Sequence, residues 1–209
     1  MDTSVLRASG YIAETVPSVG MVTGSPDDRT VFGLNDFVYV RPTGSAKIGD
    51  KFYIVRAENS VRHPLTGKRL GYIVETLAIA EIKEFKYGET KAQIVEDYSD
   101  VVRGDVLIPY EEMIPPLTAG QFRKPDINAT VVAAKGLQQL NGNLDIVYID
   151  KGQRDGVEAG DLYRSVSVES HKIPNGIIQI INARDTTSTA VVREFTDTVT
   201  IGNWVTRLD

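Results

Sequence analysis

The chain contains no cysteine, so its 209 residues hold no disulfide, no thiolate zinc cluster and no thiol nucleophile. Histidine is nearly absent: His63 and His171 are the two present, and two imidazoles without cysteine make a poor metal set. No metal or other cofactor is therefore expected. No run of 18 apolar residues occurs, so no membrane-spanning helix is expected. An excess of positive charge is missing as well. With 23 Lys and Arg against 28 Asp and Glu, the net charge of -5 offers no large positive field for nucleic acid. The start, Met1 to Arg7, lacks a basic segment followed by an apolar one and does not read as a secretory signal. Two expectations follow: a cytoplasmic protein, or a chain whose Met1 stands downstream of a removed segment.

Catalytic signatures are missing too. There is no G-x-S-x-G elbow, no H-E-x-x-H, no Walker-type loop and no G-x-G-x-x-G after a strand. Carboxylates recur as Asp36 with Asp145 and Glu96 with Glu194, but a catalytic dyad needs two of them within several ångströms of each other in one cleft. As repeated strand-edge or turn residues they need no chemistry, and the expectation is a chain that is not an enzyme.

What is abundant is β-branched. Val, Ile and Thr number 24, 18 and 17, while Leu, at 12, is scarce for a helical protein. Short runs such as Phe37 to Val40, Phe52 to Val55, Ile146 to Ile149 and Ile177 to Ile181 are bounded by Gly, Pro, Asp or Asn, the punctuation of strands. Residues 80–86 have some helical character, but they follow the strand-like 71–79 so directly that one long strand with a bulge is expected.

The two halves repeat one another. Asp36 to Val40 matches Asp145 to Ile149, Ile48 to Tyr53 matches the segment opening at Ala159, Gly71 to Ile73 is set against Gly176 to Ile178, and Ala92 to Leu107 runs without a gap against Ala190 to Val205. The expected fold class is all-β: tandem, duplicated, small antiparallel β-barrel or SH3-like modules of five or six strands. A first module over 1–112, a linker over 113–125 containing Pro115-Pro116, and a second module over 126–209 are expected.

Gly-Asp recurs as Gly49-Asp50, Gly104-Asp105 and Gly160-Asp161, with Gly202-Asn203 as a fourth variant, each ahead of an apolar run. Gly tolerates positive φ and Asp or Asn bonds its nearby backbone, so each pair closes a tight turn and launches a strand. The tripeptide Arg103-Gly104-Asp105 looks like an adhesion motif, but its counterpart Ile201-Gly202-Asn203 makes it the same turn. The most positive local segment is Arg62-His63-Pro64-Leu65-Thr66-Gly67-Lys68-Arg69, read as a hairpin loop. Its Arg62, His63, Lys68 and Arg69 are the candidate contacts for an anionic ligand or partner, with a solvated loop tip as the plainer reading.

Gly33 to Val40, Gly49 to Tyr53, His63 to Tyr72, Val102 to Pro109 and Asp145 to Asp161 resemble the region that follows the LysM domain in proteobacterial LysM-containing envelope proteins. The likeness runs from about Gly10 to the C-terminus. The Gly-x-x-Asp-Gly-Val-x-x-Gly segment at 152–160 is also similar to hairpins of the cell-shape protein MreC and of flagellar T-ring C-terminal domains. The resemblance implies a periplasmic or envelope location with a signal segment upstream. It also implies peptidoglycan held by a LysM domain, while the β modules contact a protein or present a surface. It brings no catalytic residues, and this chain carries no LysM motif. The partner classes are thus an envelope protein or peptidoglycan, with self-association left open and neither nucleic acid nor a membrane span expected. A structural ring component and a cell-wall hydrolase or transferase are the alternatives.

Overall fold

Alternating apolar residues in short β-branched runs build two barrels in the computed structural model, which describes residues 3–27, 29–112, 122–135, 145–168 and 171–209. In chain order the first elements are helix α1 (Thr3–Ala8), β1 (Tyr11–Ala13), β2 (Gly20–Gly24), β3 (Val31–Phe32), β4 (Phe37–Pro42), β5 (Lys51–Arg62), β6 (Arg69–Lys86), β7 (Glu89–Asp97), β8 (Val101–Val102) and β9 (Val106–Pro109). There follow β10 (Asn128–Ala134), β11 (Ile146–Ile149), β12 (Leu162–Ser167), β13 (Ile173–Ala183), β14 (Ser188–Phe195) and β15 (Trp204–Arg207).

The first barrel has the order β6-β5-β9-β2-β4-β7 and closes through a β6–β7 pairing, with β1 added beside β6. The second closes as β10-β11-β14-β13-β12-β15. Closure pairs the ring strands of each barrel on both sides, while β3 and β8 form a separate two-stranded sheet. Side chains alternate, so Val38 and Val40 point into the first core while Phe37 and Tyr39 point out. Val22, Ile54, Ile94 and Leu107 belong to the same core, and Val131, Val147, Ile178 and Val205 are among those filling the other. Each such residue contributes roughly 1.5–3 kcal/mol of burial.

The duplication extends to hydrogen-bond register. Val22 pairs with Val40 and Val131 with Ile149, each residue 109 positions from its counterpart, and both ladders shift register at the next pair. Ala80 pairs with Ile94 and Ile178 with Val192, here 98 positions apart, again with irregularities at the same two places in both barrels. Residues 80–86 thus continue β6 through bulges. This register corrects one sequence match: Gly176 stands where Ala78 stands, not Gly71.

The compact units do not follow chain order. One unit comprises 15–58 and 74–113; the other comprises 1–14, 59–73 and 114–209. The unit holding the second barrel therefore takes in two segments that the sequence reading placed with the first module. Most of the expected linker, 113–121, lies outside the described residues.

Helix α1 and β1, which sequence reasoning did not anticipate, form a strap over the outer face of β11 and β14. Tyr148 Oη donates to Ser9 O at 2.7 Å, Thr189 Oγ1 donates to Gly10 O at 3.0 Å, and Lys135 Nζ donates to Ala8 O. Leu6, Tyr11 and Ile12 are buried, as are the outward-pointing Ile146, Tyr148 and Val191. At Gly71, whose φ is +130°, a Cβ would collide with the Ala13 backbone, so this position in β6 is restricted to glycine where β1 approaches.

Candidate functional site

Four turns share one construction. In Lys47–Asp50, Val102–Asp105, Glu158–Asp161 and Thr200–Asn203 the last residue's N–H donates to the first residue's C=O, at 3.1, 3.3, 3.2 and 3.1 Å. The glycine before it has φ between 92° and 98°, which an L side chain rarely adopts. The terminal Asp or Asn side chain then accepts the N–H of the first residue, at 2.8, 2.7, 2.9 and 3.0 Å. Each turn also docks on a strand through two backbone hydrogen bonds, made by the glycine N–H and the terminal C=O, with Ile82, Val22, Ile180 and Val131. Gly49, Asp50, Gly104, Asp105, Gly160, Asp161, Gly202 and Asn203 are thus engaged in turn closure.

Two of these carboxylates are deeply buried and carry arginine partners that sequence reasoning missed. Asp105 is held by Arg56, with Nε to Oδ1 and Nη2 to Oδ2 both at 2.8 Å. Asp161 lies 3.0 Å from Nε of Arg123, which also pairs with Glu158. Tyr163 Oη donates to Asp161 at 3.2 Å; burial, and then the Asp161 charge, push this phenol well above its ordinary value and keep it protonated. At the position of Asp105 the second barrel has Asn203, and there Asn175 Nδ2 donates to Asn203 Oδ1 at 2.7 Å. A neutral amide pair thus occupies the place where the first barrel has an ion pair.

Asp36 and Glu96, two of the other recurring carboxylates, are also engaged. Asp36 accepts the Gly33 N–H at 2.9 Å and pairs with Arg29 at 2.7 Å; these two contacts hold it below the ordinary aspartate value. Glu96 accepts from Tyr98 Oη at 2.7 Å.

The basic loop between β5 and β6 has a defined conformation. His63 N–H donates to Lys68 O at 2.8 Å, and Gly67 N–H returns to His63 O at 2.9 Å. The imidazole is folded inward: Nδ1 accepts the Leu65 N–H at 3.1 Å, which leaves the proton on Nε2 to donate to Asp150 Oδ2 at 3.0 Å. Asp150 Oδ1 accepts the Thr130 N–H at 2.6 Å. His63 therefore anchors the loop and does not face solvent. Arg62, Lys68 and Arg69 are exposed, with Arg62 Nη1 donating to Gly67 O at 3.2 Å and the Arg69 guanidinium 4.7 Å from the Tyr72 ring centre. Leu65 projects at the tip, 64% exposed. The loop thus presents three cations and one apolar side chain on a pinned backbone. Such an arrangement suits carboxylates or phosphates of a polymer.

Among the described residues there is no group of three or more His, Asp or Glu side chains arranged to hold a metal ion, and no helix long and apolar enough to cross a membrane. No family model and no curated protein matches the chain.

Proposed function

We propose that this chain is a non-catalytic cell-envelope interaction module that contacts an anionic wall polymer or an envelope protein through its Arg62–Arg69 loop. The observation that carries the reading is the inward His63. It spends an imidazole on fixing the loop backbone while Arg62, Lys68 and Arg69 stay at the surface. A loop ordered before binding loses less entropy on contact. The buried carboxylates support the non-catalytic part, because Asp105 and Asp161 are each committed to a turn and an arginine. The resemblance to LysM-associated envelope proteins supports the location and the wall polymer. Co-sedimentation with purified peptidoglycan sacculi tests it: pelleting at low salt with release at high salt supports the loop contact. Recovery in the supernatant at both salts contradicts the wall-polymer contact and turns the loop's role to an envelope protein.

A second reading is a ring component packing against its own copies. Exposed Ile48 and Ile201 favour it, since each projects from the second position of a turn of the shared Gly-Asp or Gly-Asn construction. Sedimentation velocity over a roughly hundredfold concentration range tests it, because self-association follows protomer concentration: a concentration-dependent rise supports it, and a constant monomer removes it.

A further inference from the structure

The two barrels carry equivalent outer faces, and only one is covered by the strap. In the second barrel the face consists of Ile146 and Tyr148 on β11 and Thr189 and Val191 on β14, paired Ile146 with Val191 and Tyr148 with Thr189. All four are buried, and Tyr148 and Thr189 donate to the strap's carbonyl oxygens. The matching ladder of the first barrel pairs Phe37 with Gln93 and Tyr39 with Lys91. Phe37 is 37% exposed, and Tyr39, Lys91 and Gln93 are partly exposed. Lys91 Nζ lies 4.2 Å from the Phe37 ring centre.

The chemistry of the covered face recurs on the open one. Tyr39 repeats Tyr148 as a phenol donor, and its hydroxyl has no hydrogen-bond partner among the described residues. Lys91 replaces Thr189 as a second donor, and Phe37 replaces Ile146 as the apolar floor. Gln93 replaces Val191, which makes this face more polar than its counterpart and suits an occupant that comes and goes.

We infer that the Phe37–Tyr39–Lys91–Gln93 face of the first barrel is a docking site for an extended apolar peptide segment of another protein. The segment lies across β4 and β7 as the strap lies across β11 and β14. Its apolar side chains rest on Phe37 and its carbonyl oxygens accept from Tyr39 Oη and Lys91 Nζ. A second copy's strap is not the occupant, because in each copy that strap already buries Leu6, Tyr11 and Ile12 against its own second barrel. The inference rests on the interaction-module reading but uses residues other than those of the Arg62–Arg69 loop, so the two fail separately.

The test is a display selection on the full chain. The library consists of peptides of strap length with apolar residues at the places of Leu6, Tyr11 and Ile12 and random residues elsewhere. A selected peptide is then synthesised and titrated by fluorescence anisotropy. Phe37→Asp and Tyr39→Phe are both expected to weaken it by about tenfold or more, and Arg62→Glu to leave it unchanged. Tyr39→Phe removes one oxygen from a part-exposed residue, so it keeps the test decisive if Phe37→Asp perturbs the barrel. Failure to enrich peptides over a mock selection, or equal affinity for wild type and both variants, overturns the inference. So does a wild-type dimer that Phe37→Asp abolishes.

Discussion

His63 Nε2 stands 3.0 Å from Asp150 Oδ2 and ties the β5–β6 loop to the residue that follows β11. His63 is separated from Asp150 by 87 positions, and Asp150 also secures β10 through the Thr130 N–H. Replacing His63 by Ala removes the donor to a part-buried carboxylate and the acceptor of the Leu65 N–H. The expected cost is about 1–3 kcal/mol. Urea denaturation monitored by circular dichroism measures it; a midpoint equal to wild type contradicts the anchoring role.

Asp105 and Asn203 form a natural substitution pair, because one turn construction is closed by a carboxylate in the first barrel and by an amide in the second. Asp105→Asn keeps an acceptor for the Val102 N–H and gives up the charge facing Arg56. Asp105→Ala loses both. The alanine variant is expected to be the less stable of the two by about 1–2 kcal/mol. Thermal unfolding of both variants side by side decides it, and equal losses contradict the turn account.

The strap predicts that removing its anchors exposes the second barrel. Leu6 is 1% exposed, and Leu6→Ala is expected to cost about 2–5 kcal/mol. Tyr148→Phe, which deletes only the hydroxyl bonded to Ser9 O, is expected to cost about 1 kcal/mol. Hydrogen exchange at β11 and β14 should accelerate in the Leu6 variant. Unchanged protection there contradicts the covering role.

Asp36 supplies a pH dependence. The Gly33 N–H, and then Arg29, lower its pKa in the folded chain, so the unfolded chain binds its proton first as pH falls. Its stabilisation is present above the ordinary aspartate value of about 4 and is lost as pH drops through the lower folded value. Asp36→Asn should therefore flatten the acid limb of a melting-temperature profile below about pH 4 and shift the plateau above it downward. An acid limb with the same slope in both proteins contradicts this assignment.

The repeat was legible because β-branched runs and Gly-Asp pairs are local signals. Positive φ at Gly49, Gly104, Gly160 and Gly202 is a backbone demand that sequence states directly. The match of Gly71 with Gly176 failed because a shared glycine does not fix register, and β5 and β6 run 12 and 18 residues against 6 and 11 for β12 and β13. The strap was invisible for another reason. Leu6, Tyr11 and Ile12 are too few for a periodic pattern, and their partners lie about as far away as the chain allows, 179 positions in the case of Gly10 and Thr189. At the candidate site, the cluster of cations could be read from the sequence, whereas the inward turn of His63 depends on Asp150, which no local pattern connects to it.

The most direct test of the account compares wild type with the loop variant Arg62→Glu, Lys68→Glu, Arg69→Glu in co-sedimentation with peptidoglycan sacculi at low salt. None of the three side chains is buried, so the fold should survive, as a matching melting curve would show. The account predicts that wild type pellets and the variant stays in the supernatant. Equal pelleting of both proteins contradicts the loop contact, and pelleting of neither contradicts the wall polymer as its target.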